Sequence, residues 1–491
     1  MPVYLEAFVD RANRAGLHVY VPCRRAAGRW RQIQINRQAH STRTGAEHLT
    51  EGTTTFGTVK LQRTSEILSR DFYWLLGYLF FIFICHYSCI RTLHSVDNDD
   101  VVTDSRPTVL FSINDRKQLV APPALSFSAL SFPDQFAYRP TGSTTAAIIT
   151  ILHTVTQLLA SNPYVIVIAI DFSKAFDTVR HQTLLDKMSQ LDIPDNIFNW
   201  LVDFLTGHLH QTHYGDSVSQ IKSITASIIQ GSAIGPTSYV VTASDLHAIC
   251  NGNELCKYAD DTYLIIPAVN VNTRSNELQH ITDWATSNNL SLNLSKSEEI
   301  VFVDKRKKHK INTPDTLDGL KRVQHIKILG VTFTNSLSVT PHVQHLATSN
   351  SQILYALKIL RAHGLCRMAI QAVFRCVILS RLLYASPAWW GFAGAQDRQK
   401  VYSFLRRSVR VGFYSSDLAS FDDLCIQADE NLFNKALHNP DHVLHRLLPP
   451  VAHTSHNYNL RPRAHNRSLP ERLTHLTDCN FIIRMLFCQV Y

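Results

Sequence analysis

The sequence carries ten cysteines in 491 residues, and none forms a CxxC pair or joins a Cys/His ladder. That excludes a zinc module and a disulfide framework, so the scattered thiols read as reduced groups of an intracellular protein. The first 40 residues are Arg-rich and lack an apolar run, so no secretory signal peptide is expected there. No internal repeat is visible. Charged residues are scarce, 18% against 45% hydrophobic, a balance that excludes wholesale disorder and supplies a sizeable core. Acidic charge is the sign in short supply: 39 Asp and Glu against 48 Lys and Arg leave +9. That excess favours an anionic partner such as nucleic acid or a membrane surface. At roughly 150 residues per domain, the length implies two to four domains.

What is present changes character near residue 105. Before it the text is basic and aperiodic, with a Thr- and Gly-rich stretch over 41–58 that reads as loop, apart from Phe72 to Ile90, nineteen residues without Asp, Glu, Lys or Arg. About 20 apolar residues span a bilayer, so this run reads either as a membrane anchor or as a buried segment. After Pro107 the chain becomes regular. Apolar positions at helical spacing predict a helix over 144–159. The β-branched run 164–170 predicts a central strand covered on both faces, ending on Asp171. Helical text follows over 181–205, strand-like text over 221–229, a strand pair over 255–258 and 262–266, and a helix over 274–288. Gly235-Pro236 reads as a turn. Further amphipathic helices are expected over 346–362, 366–385 and 396–411.

Two acidic sites stand at strand ends: Asp171 after the buried run, and Asp260-Asp261 in a tight connection. A carboxylate at the edge of a hydrophobic strand must be solvated, paired or bound to a cation. Adjacent aspartates also repel, and a divalent cation is the simplest compensation. Mg²⁺ suits a few carboxylates completed by substrate phosphates and water. Two such ions, about 3.5–4 Å apart, can activate a hydroxyl and stabilise a leaving pyrophosphate. The plainer alternative is an Asp-Asp hairpin turn with an unrelated acidic strand cap.

The segments FAYRPTGSTTAAII (136–149), DFSKAFD (171–177), QGSAIGP (230–236), KYADDTYLI (257–265), NNLSLNLSKSEEIVF (288–302) and ILGVTF (328–333) together resemble the consecutive blocks of a reverse transcriptase. More narrowly they resemble non-LTR (LINE-type) retrotransposon enzymes, over roughly residues 130 to 490. The resemblance implies an α+β fold of right-hand type, an antiparallel palm with packing helices followed by a helical thumb. It implies a fingers remnant over 106–160, a palm over 161–335, a thumb over 336–415 and a C-terminal tail over 416–491, behind an unassigned basic leader, 1–105. The activity implied is RNA-directed DNA polymerisation by two-metal nucleotidyl transfer onto a primer 3′-hydroxyl. Its partners would be an RNA template, a DNA primer and dNTPs, its cofactor Mg²⁺ with Mn²⁺ as an alternative, and its location nuclear or cytoplasmic.

Residue by residue, Asp171, Asp260 and Asp261 match the metal-binding catalytic aspartates, with Tyr258 and Ala259 filling the first places of the Tyr-x-Asp-Asp turn. Phe176 matches the bulky gate against ribonucleotides; a ring under the sugar leaves no room for a 2′-hydroxyl. Gln230 and Gly231 match the block beneath nucleotide and template, where a glycine lets backbone approach a ligand. Lys296 matches the lysine that protonates the leaving pyrophosphate, and Arg139 an arginine near template and triphosphate. The run 328–333 resembles the primer grip. Beyond it, Lys358, Arg361, Arg367, Arg375, Arg381, Arg406, Arg407 and Arg410 would meet an A-form heteroduplex through its backbone. Lys305 to Lys310 form a basic patch, read as a solvated loop, a nuclear address or a nucleic-acid contact.

The pattern also departs from the family. Nothing in 1–130 resembles the endonuclease that precedes the polymerase in intact elements. The early fingers text is reduced to Arg106-Pro107 and 119–130, so an N-terminally truncated copy is expected. An inactive relic that binds nucleic acid without turnover is the alternative.

Overall fold

The computed structural model describes residues 132–488, apart from 215–216, 229–231, 233, 307–311, 416–418 and 453–464. The leader with its 72–90 run, the fingers text before Phe132, Gln230, Gly231 and residues 307–310 of the basic patch lie outside the described residues.

Helix α1, Thr144–Ser161, starts where the Ser143 side chain accepts the Ala146 N–H, and stops at Asn162-Pro163. Proline there removes a donor and cannot continue the ladder. Strand β1, Tyr164–Ile170, follows directly. Then come β2 (Phe172–Ser173), α2 (Ala175–Thr178), α3 (His181–Met188) and α4 (Asp195–Leu205). The helical text over 181–205 is therefore two helices. Pro194 breaks it, biasing its predecessor to extended backbone and opening α4. The strand-like text over 221–229 shrinks to β6 in a small outlying arm of two-residue strands: β3 (Leu209–His210), β4 (His213–Tyr214), β5 (Ser217–Val218) and β6 (Lys222–Ser223). Leu209 and Ile221 are exposed in that arm, so its apolar residues have no core to organise a longer strand. Gly235-Pro236 is not a turn but the start of α5, Gly235–Thr242, where the orphan first N–H positions tolerate proline.

The hairpin β7 (Glu254–Tyr258) and β8 (Asp261–Pro267) leads to α6 (Arg274–Ser287). Next are β9 (Ser291–Leu292), β10 (Glu298–Val303), β11 (Lys321–Arg322), and a second hairpin of β12 (His325–Ile328) and β13 (Val331–Thr334). The main sheet runs β11-β10-β1-β8-β7, antiparallel except for the β10–β11 pair. This is the α+β architecture expected. β1 lies at its centre, and alternate residues enter opposite cores. Val165 and Val167 join the α1 side with Ile151 and Val155, whereas Ile166, Ile168 and Ile170 join Leu184, Leu201 and Ile281. Each such aliphatic contributes about 1.5–3 kcal/mol on full burial. The unbroken apolar run therefore reflects two covered faces.

The remaining helices are α7 (Thr340–Ala362), α8 (Arg367–Val373), α9 (Ser380–Leu383), α10 (Ser386–Trp389) and α11 (Ala395–Arg410). Last come α12 (Phe421–His438), α13 (His475–Cys479) and α14 (Phe481–Cys488). α7 begins six residues before the expected 346, with Pro341 in its first turn. A π-helical stretch, Phe374–Leu379, joins α8 to α9 inside the expected 366–385 helix. The segment read as a tail contains α12, whose Ser420 and Asp423 form a reciprocal capping box. α1 and the stretch 367–392 are long and apolar enough to cross a membrane by length and composition, but α1 is a core helix here.

Candidate active site

Sheet register brings the three aspartates to one place. Ile170 pairs with Thr262 across β1 and β8, so Asp171 continues beside Asp261. Tyr258 pairs with Asp261 across β7 and β8, leaving Ala259-Asp260 as a two-residue turn. Tight hairpins need positive φ in the turn, which suits Gly, Asn or Asp. Here the buried Ala259 adopts φ +56°. A non-glycine residue in the left-handed region costs of order 1–3 kcal/mol and persists only where its surroundings fix it.

The carboxylates are electrostatic neighbours. Burial, then the charges of Asp260 and Asp171, push the Asp261 carboxyl up to about 6, although solvent still reaches this residue. Asp260 is raised by burial and by Asp171. Among the described residues none of the three forms an ion pair with Lys or Arg. Nor do three His, Cys, Asp or Glu side chains converge into a ready coordination cage among those residues. The donor set is all oxygen and mutually repulsive, half-buried at Asp171 and Asp260 and exposed at Asp261, and it fits a hard divalent cation in its chemistry.

Asp171 is held by backbone. Its N–H donates to Ser297 Oγ at 3.2 Å, and its carbonyl accepts the Asn293 N–H at 2.8 Å. Lys296 lies in the turn between those partners, exposed, with its own N–H bonded to the Asn293 carbonyl. That places the lysine's loop, though not its ammonium, against Asp171.

Phe176 is half-buried and stacks on Tyr239 of α5, ring centroids 4.5 Å apart and 25° between planes. Tyr239 is itself buried, and its hydroxyl is held protonated by burial and by Asp260 and Asp261. The chain leading to Gln230 runs back along this block: Ile228 N–H donates to the Phe176 carbonyl, and Ser227 N–H to that of Val179. Gln230 and Gly231 themselves lie outside the described residues.

Arg139 has a bracing contact. Its Nη1 donates to the carbonyls of Phe132 and Gln135 at 2.6 and 3.2 Å, and burial, then Arg446, lower its pKa. Gly142, in the same block, sits so close over the Phe136 carbonyl that no Cβ fits. At the β12–β13 turn, Leu329 N–H donates to the Tyr263 hydroxyl at 3.2 Å, and the Leu329 carbonyl accepts the Tyr384 hydroxyl at 2.9 Å. Of the cations expected to meet a heteroduplex, Arg361 caps another helix, with Nη1 on the Val411 carbonyl and its guanidinium over Phe413. Lys358, Arg367, Arg375, Arg406, Arg407 and Arg410 are exposed, and Arg381 is half-buried. Sequence reading missed Tyr239, Tyr384 and Gln135. The first two carry no local signal, and the third lies one residue before a motif block.

An aspartate pair in a strained hairpin turn, a third aspartate just past the central strand and an aromatic beside them are the arrangement that the motif blocks led one to expect. The family model described as "Reverse transcriptase (RNA-dependent DNA polymerase)" matches residues 98–333. The particular kin are polymerases of mobile elements, as the six motif blocks implied. The chain is 26% identical over 296 residues to the RNA-directed DNA polymerase from mobile element jockey of Drosophila melanogaster, covering 56% of this chain and 31% of that one. It is 25% identical over 295 residues to a probable RNA-directed DNA polymerase from transposon BS of the same fly, covering 57% and 32%. The chain thus spans about a third of the length of the curated relatives it matches. Among solved structures, telomerase from Candida tropicalis in complex with a TWJ fragment of telomeric RNA aligns with a TM-score of 0.35 and 12% identity, over 66% of this chain and 54% of that one.

Proposed function

We propose that the chain is an RNA-directed DNA polymerase of a LINE-type retrotransposon, extending a DNA primer on an RNA template with dNTPs. The observation that carries this reading is the register that sets Asp171 beside the Ala259-Asp260 turn. Asp171, Asp260 and Asp261 would hold Mg²⁺, or Mn²⁺ in its place. Bound there, the ion would make the primer 3′-hydroxyl more acidic and offset charge on the departing pyrophosphate. The protein's own groups do the rest. Phe176, kept in plane by Tyr239, closes the space a 2′-hydroxyl needs. Lys296, on a loop tied to Asp171, is assigned to proton donation toward pyrophosphate. Gln230 and Gly231 are assigned to the surface under the nucleotide, Tyr258 to the floor of the site, and Arg139 to template or triphosphate through its other nitrogens. The sheet body serves as palm, and helices α7 to α11 as thumb, with their exposed Lys and Arg on the heteroduplex backbone.

Primer extension on an RNA template with Mg²⁺ tests this. Wild type is expected to extend, and Asp260→Ala to lose activity by at least about 1000-fold while still binding heteroduplex, because phosphate contacts carry that affinity. Equal extension by Asp260→Ala defeats the assignment. A wild type that binds in a salt-sensitive way but never extends points instead to a binding relic.

A further inference from the structure

Gln135 has no part in the assignments above, yet it is 1% exposed and reaches the strained turn. Its Oε1 accepts three backbone N–H groups: Phe136 at 3.1 Å, Ala137 at 3.0 Å and Ala259 at 3.0 Å. Three donors converging on one atom fix which end of the amide is oxygen. Its Nε2 is buried and finds no partner among the described residues. The acceptor end of the side chain therefore makes these bonds, and the donor end makes none. The strand beneath is fixed as well. Gln135 bridges Lys257 in parallel, Phe136 N–H donates to the Lys257 carbonyl at 2.9 Å, and Lys257 N–H to that of Asp134 at 2.7 Å. The Lys257 ammonium, equally buried, is anchored on the Ala243 and Leu246 carbonyls and on Asp134. A loop-forming glutamine needs only the two near N–H groups. The third comes from 124 residues away, at the one non-glycine position of the Tyr258–Asp261 hairpin with positive φ.

We propose that Gln135 is a positioning residue: by accepting the Ala259 N–H it holds the turn in the left-handed conformation that aims the Asp260 and Asp261 carboxylates. This rests on the polymerase reading for its consequence in catalysis, but not for its consequence in cation binding. The chemistry is specific. Glutamate at 135 keeps the acceptor and removes the idle donor, whereas methionine keeps length and volume and removes the acceptor.

The test uses the full chain as wild type, Gln135→Met and Gln135→Glu. Mn²⁺ binding is read by electron paramagnetic resonance, and primer extension is read across a Mg²⁺ titration. Gln135→Met is expected to weaken Mn²⁺ binding by about 10-fold or more and to lower kcat to match, with the KM for template-primer within about twofold, whereas Gln135→Glu stays within about threefold of wild type. Wild-type Mn²⁺ affinity in Gln135→Met, or a Gln135→Glu as defective as Gln135→Met, overturns the proposal. Where Gln135→Met does not fold, hydrogen exchange in wild type decides: slow exchange of the Ala259 amide supports it, and exchange at the rate of an open turn overturns it. Mn²⁺ binding that depends on residue 135 in a chain that extends no primer supports this inference while defeating the polymerase reading. Extension and Mn²⁺ binding both indifferent to Gln135→Met do the reverse.

Discussion

Phe176 stacks on a tyrosine that is almost wholly buried, so the ring assigned to lie under the nucleotide sugar has its plane set by Tyr239. Replacing Phe176 by Val should therefore open the site to ribonucleotides. Discrimination between dNTP and rNTP, measured as a ratio of kcat/KM, is expected to fall roughly 10- to 200-fold. Tyr239→Leu should lose the aromatic pairing, about 0.5–1.5 kcal/mol beyond the ring's own burial, and relax the ratio a few-fold. Unchanged discrimination in Phe176→Val would remove the gate assignment. Asp261 carries a pH consequence as well. Its folded pKa lies near 6 against an ordinary 3.8, with burial and two carboxylate neighbours as causes. The folded chain thus holds this proton more tightly than the unfolded one. That contribution to stability is full below about pH 4 and is lost as pH rises through about 6. In chelator, wild type should lose Tm relative to Asp261→Asn between about pH 4 and 7, and Mg²⁺ at pH 7 should return the loss. A pH-independent difference between the two proteins would contradict it. The aspartates and Phe176 were legible because each sits in a block with a chemical pattern. Tyr239 and Gln135 were not, because what matters about each is a partner far along the chain.

At the scale of elements, legibility followed burial. β1 was readable to the residue and β7 and β8 to within one, since apolar runs covered on both faces leave one register open. The outlying arm misled because strand-like composition there meets no core. The π-helical stretch leaves no trace in a periodicity that α-helix and π-helix nearly share over six residues. The β12–β13 turn is held from both sides, by Tyr263 of β8 and by Tyr384 just beyond α9. Gly330 permits this: its φ is +91°, and a Cβ there would come within 3.1 Å of the Tyr384 ring. Tyr384→Phe deletes the hydroxyl that binds the Leu329 carbonyl. The expected cost is about 0.5–1.5 kcal/mol in stability, with shortened extension products from a primer end held less firmly. Product lengths matching wild type would show that this clasp does not reach the primer.

Across the whole molecule, the C-terminal helices belong to the same body as the sheet. α12 packs on α10, and α13 and α14 pack on α1. Arg484 of α14 reaches back to the buried Asp429 of α12 and also donates to the Pro387 carbonyl at 3.1 Å. Removing one partner of such a pair strands the other without water. Arg484→Met is therefore expected to lower unfolding free energy by about 3–5 kcal/mol in a denaturant titration. A loss under about 1 kcal/mol would mean the pair is solvated, as surface ion pairs are. Length allowed two to four domains, and the text after residue 415 read as a tail. The capping box at Ser420 was the local signal that a helix begins there.

Asn480 makes the longest of these returns. Its Nδ2 donates to Thr156 Oγ1 at 3.0 Å and lies 3.1 Å from His153 Nδ1, more than 320 residues earlier in the chain. During translation α1 and β1 leave the ribosome well before residues 475–488, so this face of α1 stays uncovered until those residues have followed. Until then the nascent chain carries a helix whose covering is incomplete, a target for chaperones that hold unfinished chains. A stop codon shortly before position 475 would spare Asp171, Asp260 and Asp261 and still leave that face of α1 uncovered.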